Sequence, residues 1–189
     1  MNSENKTIRL KLIGDSNIGK HVLTLLFTLG TIPDGNEHHC ENYETTVKID
    51  NQIIQLKINV YKARDEVNYI WEPQYYNDTD IFLLCFSIDN LRSFQNIFNK
   101  WYPEIHHYEP SIPFILVGLK SDQRHSIIKK EIVSIEEAQQ KAKEIQALHY
   151  IECSTLWNEN VASVFEIAIK TALKKSNEKE KMKKGCCIC

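Results

Sequence analysis

Gly14-Asp15-Ser16-Asn17-Ile18-Gly19-Lys20-His21 has the residue types and spacing of a phosphate cradle, G-x-x-x-x-G-K. The glycines let the backbone bend so that successive N–H groups face an anion. A helix opening at the second glycine adds its positive dipole end, and Lys20 adds a full charge. The pattern then calls for a Ser or Thr whose hydroxyl holds Mg²⁺, and His21 stands there instead.

A cradle of this kind needs a strand before it and a helix after it. Thr7 to Ile13 reads as a buried strand and Gly19 to Leu29 as a helix. The stretch from Gly30 to Glu41 reads as a loop, and Thr45–Asp50 with Ile53–Tyr61 as a hairpin around Asp50-Asn51. Arg64 to Tyr76 is irregular, and Asp80–Ser87 is a solid apolar strand. Leu91–His107 is predicted helical with a bend at Pro103. Pro113–Gly118 and Tyr150–Cys153 read as strands. Ser134 with Glu137 forms a capping box for a helix reaching about Leu148. Val161–Lys175 is an amphipathic helix, and the tail beyond Ser176 is expected to be disordered. Strand–helix alternation with one hairpin defines an α/β domain with a mostly parallel sheet, helices on both faces. Ligands of such sheets bind at the strands' carboxyl ends, so the cradle, Gly118–Asp122 and the Ser154 loop should converge on one rim.

At 189 residues the chain is expected to be one domain, and its net charge of −2 argues against nucleic acid as a partner. Cys85 and Cys153 sit in apolar runs and read as reduced core thiols. Met1 to Lys6 is polar, without the pattern of a signal peptide. From Lys174 to Lys184 there are six lysines against two glutamates, and Cys186, Cys187 and Cys189 crowd the end.

Together these features resemble a Ras-superfamily small GTPase of the Rho/Rac branch, over essentially the whole chain. Glu41-Asn42-Tyr43, Asp78-Thr79-Asp80-Ile81, Cys85-Phe86-Ser87-Ile88-Asp89, Lys100-Trp101-Tyr102-Pro103-Glu104-Ile105, Ile115-Leu116-Val117-Gly118 and Glu152-Cys153-Ser154 carry the resemblance. Gly-Asp-Ser in the cradle, Lys120-Ser121-Asp122 and Glu152-Cys153-Ser154-Thr155-Leu156 lean towards the atypical, Rnd-like members. The implied fold is a P-loop NTPase-type small GTPase domain: a six-stranded mostly parallel sheet with one antiparallel hairpin. It would span residues 1–176, followed by a polybasic tail, 177–189.

The resemblance implies guanine nucleotide, GTP or GDP, held by Gly14, Asp15, Ser16, Asn17, Ile18, Gly19, Lys20, His21, Lys120, Asp122, Ser154 and Thr155. Asp122 would accept from the guanine edge while the Lys120 stem covers the ring. Leu119 replaces the Asn of the base-reading motif, and Leu156 the Lys of the Ser-Ala-Lys loop. Ser16 stands where working members carry Gly and would crowd the attacking water. The Mg²⁺-ligand positions hold His21, His38 and Val60, which fit that hard, octahedral ion poorly. Ala63 and Arg64 occupy the Gly and Gln positions that read the γ-phosphate and orient water. Losing such a water-positioning group or its complementing arginine costs roughly 10³–10⁵ in rate, so no catalytic residue is assigned and hydrolysis is expected to be poor. The readings left open are a nucleotide-holding, hydrolysis-deficient signalling protein, an interaction scaffold without nucleotide, and a cycling GTPase.

His21, His38, His39 and Cys40 lack a zinc-finger spacing and read as solvated loop residues. His106-His107 suit a helix C-terminus. Trp71, Tyr75 and Tyr76 divide between core packing and a partner face. His38, Glu41, Asn42 and Tyr43 fall in the implied effector loop, with effectors and regulators of Rho type as partners. Cys186 is the candidate prenylation site, and the lysines are its second anchoring signal. The expected location is the cytoplasmic face of the plasma membrane or endomembranes, with a cytosolic pool.

Overall fold

The computed structural model describes residues 6–32, 41–61, 76–126 and 131–185. His38, Arg64, Ala63, Trp71, Tyr75 and Cys186 lie outside the described residues. The elements are β1 (Lys6–Ile13), α1 (Lys20–Leu29), β2 (Asn42–Ile49), β3 (Gln52–Val60), β4 (Ile81–Ser87), α2 (Leu91–Asn96), α3 (Tyr102–Tyr108), β5 (Phe114–Leu119), α4 (Ile135–Glu144), β6 (Tyr150–Cys153) and α5 (Val161–Gly185).

The six strands form one sheet in the order β2-β3-β1-β4-β5-β6, parallel except for β2–β3. Asp50 and Asn51 both take positive φ, 46° and 66°, at the β2–β3 turn. Two positive φ values match the right-handed strand twist, so Asp50-Asn51 closes the hairpin tightly. Leu10 is in register with Ile58 on one side and Ile81 on the other, placing β1 at the centre. All seven residues of β4 are buried, as a strand covered on both faces requires.

Two apolar layers cover the sheet. Leu23 of α1 and Val161, Val164, Phe165, Ala168, Ile169 and Ala172 of α5 pack on Ile8, Leu10, Leu12, Leu56, Ile58 and Val117. The opposite layer holds Phe94, Ile97, Trp101 and Ile105 with Ala138, Ala142 and Ile145 against Ile13, Phe82, Leu84, Phe86 and Leu116. Cys85 and Cys153 are buried, as their apolar runs suggest. Tyr76 is core: it stacks on Tyr108 with ring centroids 5.2 Å apart and donates to Glu104.

Three elements differ from the sequence expectation. The helix expected over Leu91–His107 is split by a π-helical turn, Ile97–Trp101, just before Pro103, and resumes as α3. Pro103 has no N–H to continue the ordinary ladder, and a wider turn accommodates that loss. The capped helix does start at Ser134, whose Oγ accepts from Glu137 N–H at 3.0 Å, but it ends at Glu144, and Gln146 adopts φ 60°. The tail expected to be disordered from residue 177 continues α5 as helix to Gly185. Its Lys and Glu are good helix formers, and Lys175 and Glu178 pair across a turn at 4.0 Å. Among the described residues no helix is long and apolar enough to cross a membrane.

Candidate nucleotide site

The carboxyl ends of β1, β5 and β6 present three loops on one rim, as the strand order requires. The first is the cradle. Gly14 takes φ 147° and Gly19 φ 112°. A Cβ on Gly14 would fall onto the carbonyl oxygen of Cys85 in β4, so only glycine lets the loop sit this close to the sheet. Ile18 is buried beneath the loop, while Ser16 and Asn17 face solvent and Asn17 takes φ 60°. α1 begins at Lys20 with no acidic residue in its first turn, leaving its positive end available to an anion.

Lys20 is 4% exposed. Its ammonium donates to the carbonyl of Gly14 at 2.7 Å and to that of Asp15. Burial pushes its pKa down to about 8, partly opposed by the negative charge of Asp15. Burial also pushes the Cys85 thiol up to about 12. The Asp15 carboxylate accepts from Asn96 Nδ2 and Trp101 Nε1, both at 2.7 Å.

His21 points to β2. Its Nδ1 lies 3.4 Å from the Tyr43 hydroxyl. Val60, which the resemblance sets at a metal-ligand position, is completely buried. Its N–H bonds the carbonyl of Glu41 at 2.7 Å. An imidazole engaged with Tyr43 and an apolar Val60 do not fit Mg²⁺, which takes hard oxygen ligands. Asn42 Oδ1 accepts from Asn59 Nδ2 at 2.7 Å, which places Glu41, Asn42 and Tyr43 at the start of the sheet's edge strand.

The end expected to read the base is built by two loops tied together. Lys120 takes φ 63° after β5, and its ammonium lies 3.4 Å from Asp89 Oδ1. Asp122 follows in a 3-10 turn, Ser121–His125, and is 8% exposed. Its Oδ1 accepts from Ser154 Oγ at 2.6 Å and its Oδ2 from Gln123 Nε2 at 2.9 Å. Burial pushes the Asp122 carboxyl up, but hydrogen bonds from Ser154, Gln123 and its own backbone, with Lys120 nearby, outweigh it and hold it below its ordinary value. Ser154 also accepts from Trp157 N–H at 3.1 Å, shaping the turn that carries half-buried Thr155 and exposed Leu156. Leu119 is buried, near where a Cβ on Gly19 would lie, so an apolar contact stands where the motif expects a polar side chain.

Behind these loops Arg124 grips Glu152 with two hydrogen bonds, Nε to Oε2 at 2.6 Å and Nη2 to Oε1 at 2.5 Å, and Tyr150 donates to the same carboxylate. Asn160 Nδ2 donates to the Glu152 carbonyl at 2.9 Å. Sequence did not pick out Asp89, Asn96, Gln123 or Arg124 as site residues. Nothing local marks Asn96: it and Trp101 meet Asp15 from 81 and 86 residues away.

The Ras family model matches residues 9–174. The chain belongs to the Ras family and is a small GTP-binding protein, with guanine nucleotide as its ligand and effectors and regulators as its class of partner.

Proposed function

We propose that this protein is an atypical, Rho-type member that holds guanine nucleotide without a magnesium-dependent hydrolytic cycle and signals by binding partners at a membrane surface. The carrying observation is the pairing of a well-formed cradle and a structured Asp122 with a fully buried Val60 at the metal position. The cradle binds diphosphate through backbone N–H groups and Lys20, and Asp122 reads the guanine edge. Nothing at His21 or Val60 senses a metal-bound γ-phosphate. Arg64 and Ala63 extend the same substitutions in sequence.

A specific observation supports a second reading, an interaction scaffold without nucleotide. Gln123 already occupies Asp122 Oδ2, and Lys20 is satisfied by two loop carbonyls. Denaturing the purified protein and chromatographing what it releases separates the readings. Stoichiometric guanine nucleotide, retained in chelator, supports the first. No released nucleotide, with no thermal shift in excess GDP or GTP, supports the second.

Membrane association rests on Cys186 and the lysines of residues 174–184. The site of action is then the cytoplasmic face of plasma membrane or endomembranes, with a cytosolic pool, in actin or trafficking control. Cys186→Ser should move the protein from the membrane to the soluble fraction; unchanged partition contradicts a prenyl tether.

A further inference from the structure

Asp15 is an acidic residue inside a loop built to hold anions. Left free, its carboxylate would set a like charge beside the phosphates, where burial and proximity strengthen repulsion. It is not free. Asn96 Nδ2 and Trp101 Nε1 each donate to a different oxygen of it at 2.7 Å. We infer that Trp101 and Asn96 clamp Asp15 so that its charge stays out of the cradle, which makes both of them positioning residues for diphosphate binding.

The clamp is built into the fold. Asn96 ends α2 and Trp101 ends the π-helical turn that follows it. Wide turns of this kind recur at functional sites. The Trp101 ring is 1% exposed, meets Tyr61 edge-on with centroids 5.4 Å apart, and carries the Lys100 ammonium 4.3 Å from its centroid. A ring held on two sides directs its N–H to one place. The division of labour within Asp15 follows. Its carboxylate is taken by the two neutral donors, while its carbonyl accepts from Lys20. Lys20 hydrogen-bonds main-chain oxygens, not that carboxylate, so its charge remains for a phosphate. Trp101 also touches Tyr61, whose N–H bonds Leu12 at 2.9 Å at the exit of β3, so one side chain joins the cradle's acid to that exit.

The inference rests on the nucleotide-holding reading, and its test uses probes that separate phosphate from base. Full-length wild type, Trp101→Phe and Asn96→Ala would be titrated calorimetrically with GDP, inorganic pyrophosphate and guanosine. Trp101→Phe keeps an aromatic side chain and removes the donor; Asn96 is partly exposed, so its truncation spares the core. Each variant should lose roughly tenfold in affinity for GDP and pyrophosphate, the size of one hydrogen bond to a charged group, with guanosine unchanged. Asp15→Asn added to Trp101→Phe should restore GDP binding by removing the released charge. Equal losses for guanosine and GDP, unchanged GDP affinity, or no rescue by Asp15→Asn would overturn the clamp. A wild-type protein that binds neither GDP nor pyrophosphate would overturn the nucleotide-holding reading, and the clamp with it.

Discussion

Ser154 Oγ donates to Asp122 Oδ1 across 2.6 Å, joining the loop after β6 to the loop after β5. Both groups are nearly excluded from water. The bond holds the carboxylate ionised and fixes its direction, two things a guanine edge requires. Ser154→Ala should therefore weaken GDP binding by roughly tenfold, the scale of one hydrogen bond to a charged group. Calorimetric titration checks this, with pyrophosphate as the control expected not to change.

Lys20 gives the site a pH dependence with a defined sign. In the folded, unliganded protein it titrates at about 8, against an ordinary lysine value of 10.5. Between those values the unfolded chain holds a proton that the folded chain has released, so stability rises with pH across that window and is lower below it. The difference is about 3 kcal/mol when fully developed. A bound phosphate stabilises the ammonium, so binding takes up a proton above about pH 8 and GDP affinity falls as pH rises further. Lys20→Met should flatten both profiles, read by melting and by titration across this range.

Arg124 and Glu152 are mostly buried, at 17% and 14% exposure. Removing one partner strands the other charge. Arg124→Met is expected to cost about 3 kcal/mol of stability. Replacing both charged groups should cost less than Arg124→Met alone, because no unpaired ion remains. Denaturant unfolding of the two single variants and the double variant measures the coupling.

Val60 and His21 together argue against simple repair of a metal site. Val60 is fully buried with apolar neighbours, so Val60→Asp places an unpaired carboxylate in the core and should cost several kcal/mol, about 3 or more. His21 is half-buried beside Tyr43, and His21→Thr should be tolerated. Thermal melts with and without MgCl₂ test both. A magnesium-dependent stabilisation of the Val60→Asp variant would contradict this reading.

The cradle is legible in the sequence because its function depends on local spacing: Gly14, Gly19 and Lys20 occupy one turn and identify themselves. The sheet is legible for a similar reason, since β4 is an unbroken apolar run and Asp50-Asn51 a recognisable turn. The π-helical turn before Pro103 is not, because the apolar period of Phe94, Ile97 and Trp101 is nearly the same for either helix type. The helical end of α5 is hidden by composition: a lysine-rich, apolar-poor segment reads as disordered, although its residues favour helix and extend one already packed. The clamp on Asp15 and the Arg124–Glu152 pair depend on contacts between distant segments, for which a single sequence carries no signal.

The most direct test is a single-turnover assay on the full-length protein loaded with γ-labelled GTP, following phosphate release with MgCl₂ and with chelator. The expected result is retained, intact GTP and the same negligible release in both conditions. Magnesium-dependent conversion of the bound GTP to GDP would contradict the proposal that this protein holds nucleotide without a magnesium-dependent hydrolytic cycle.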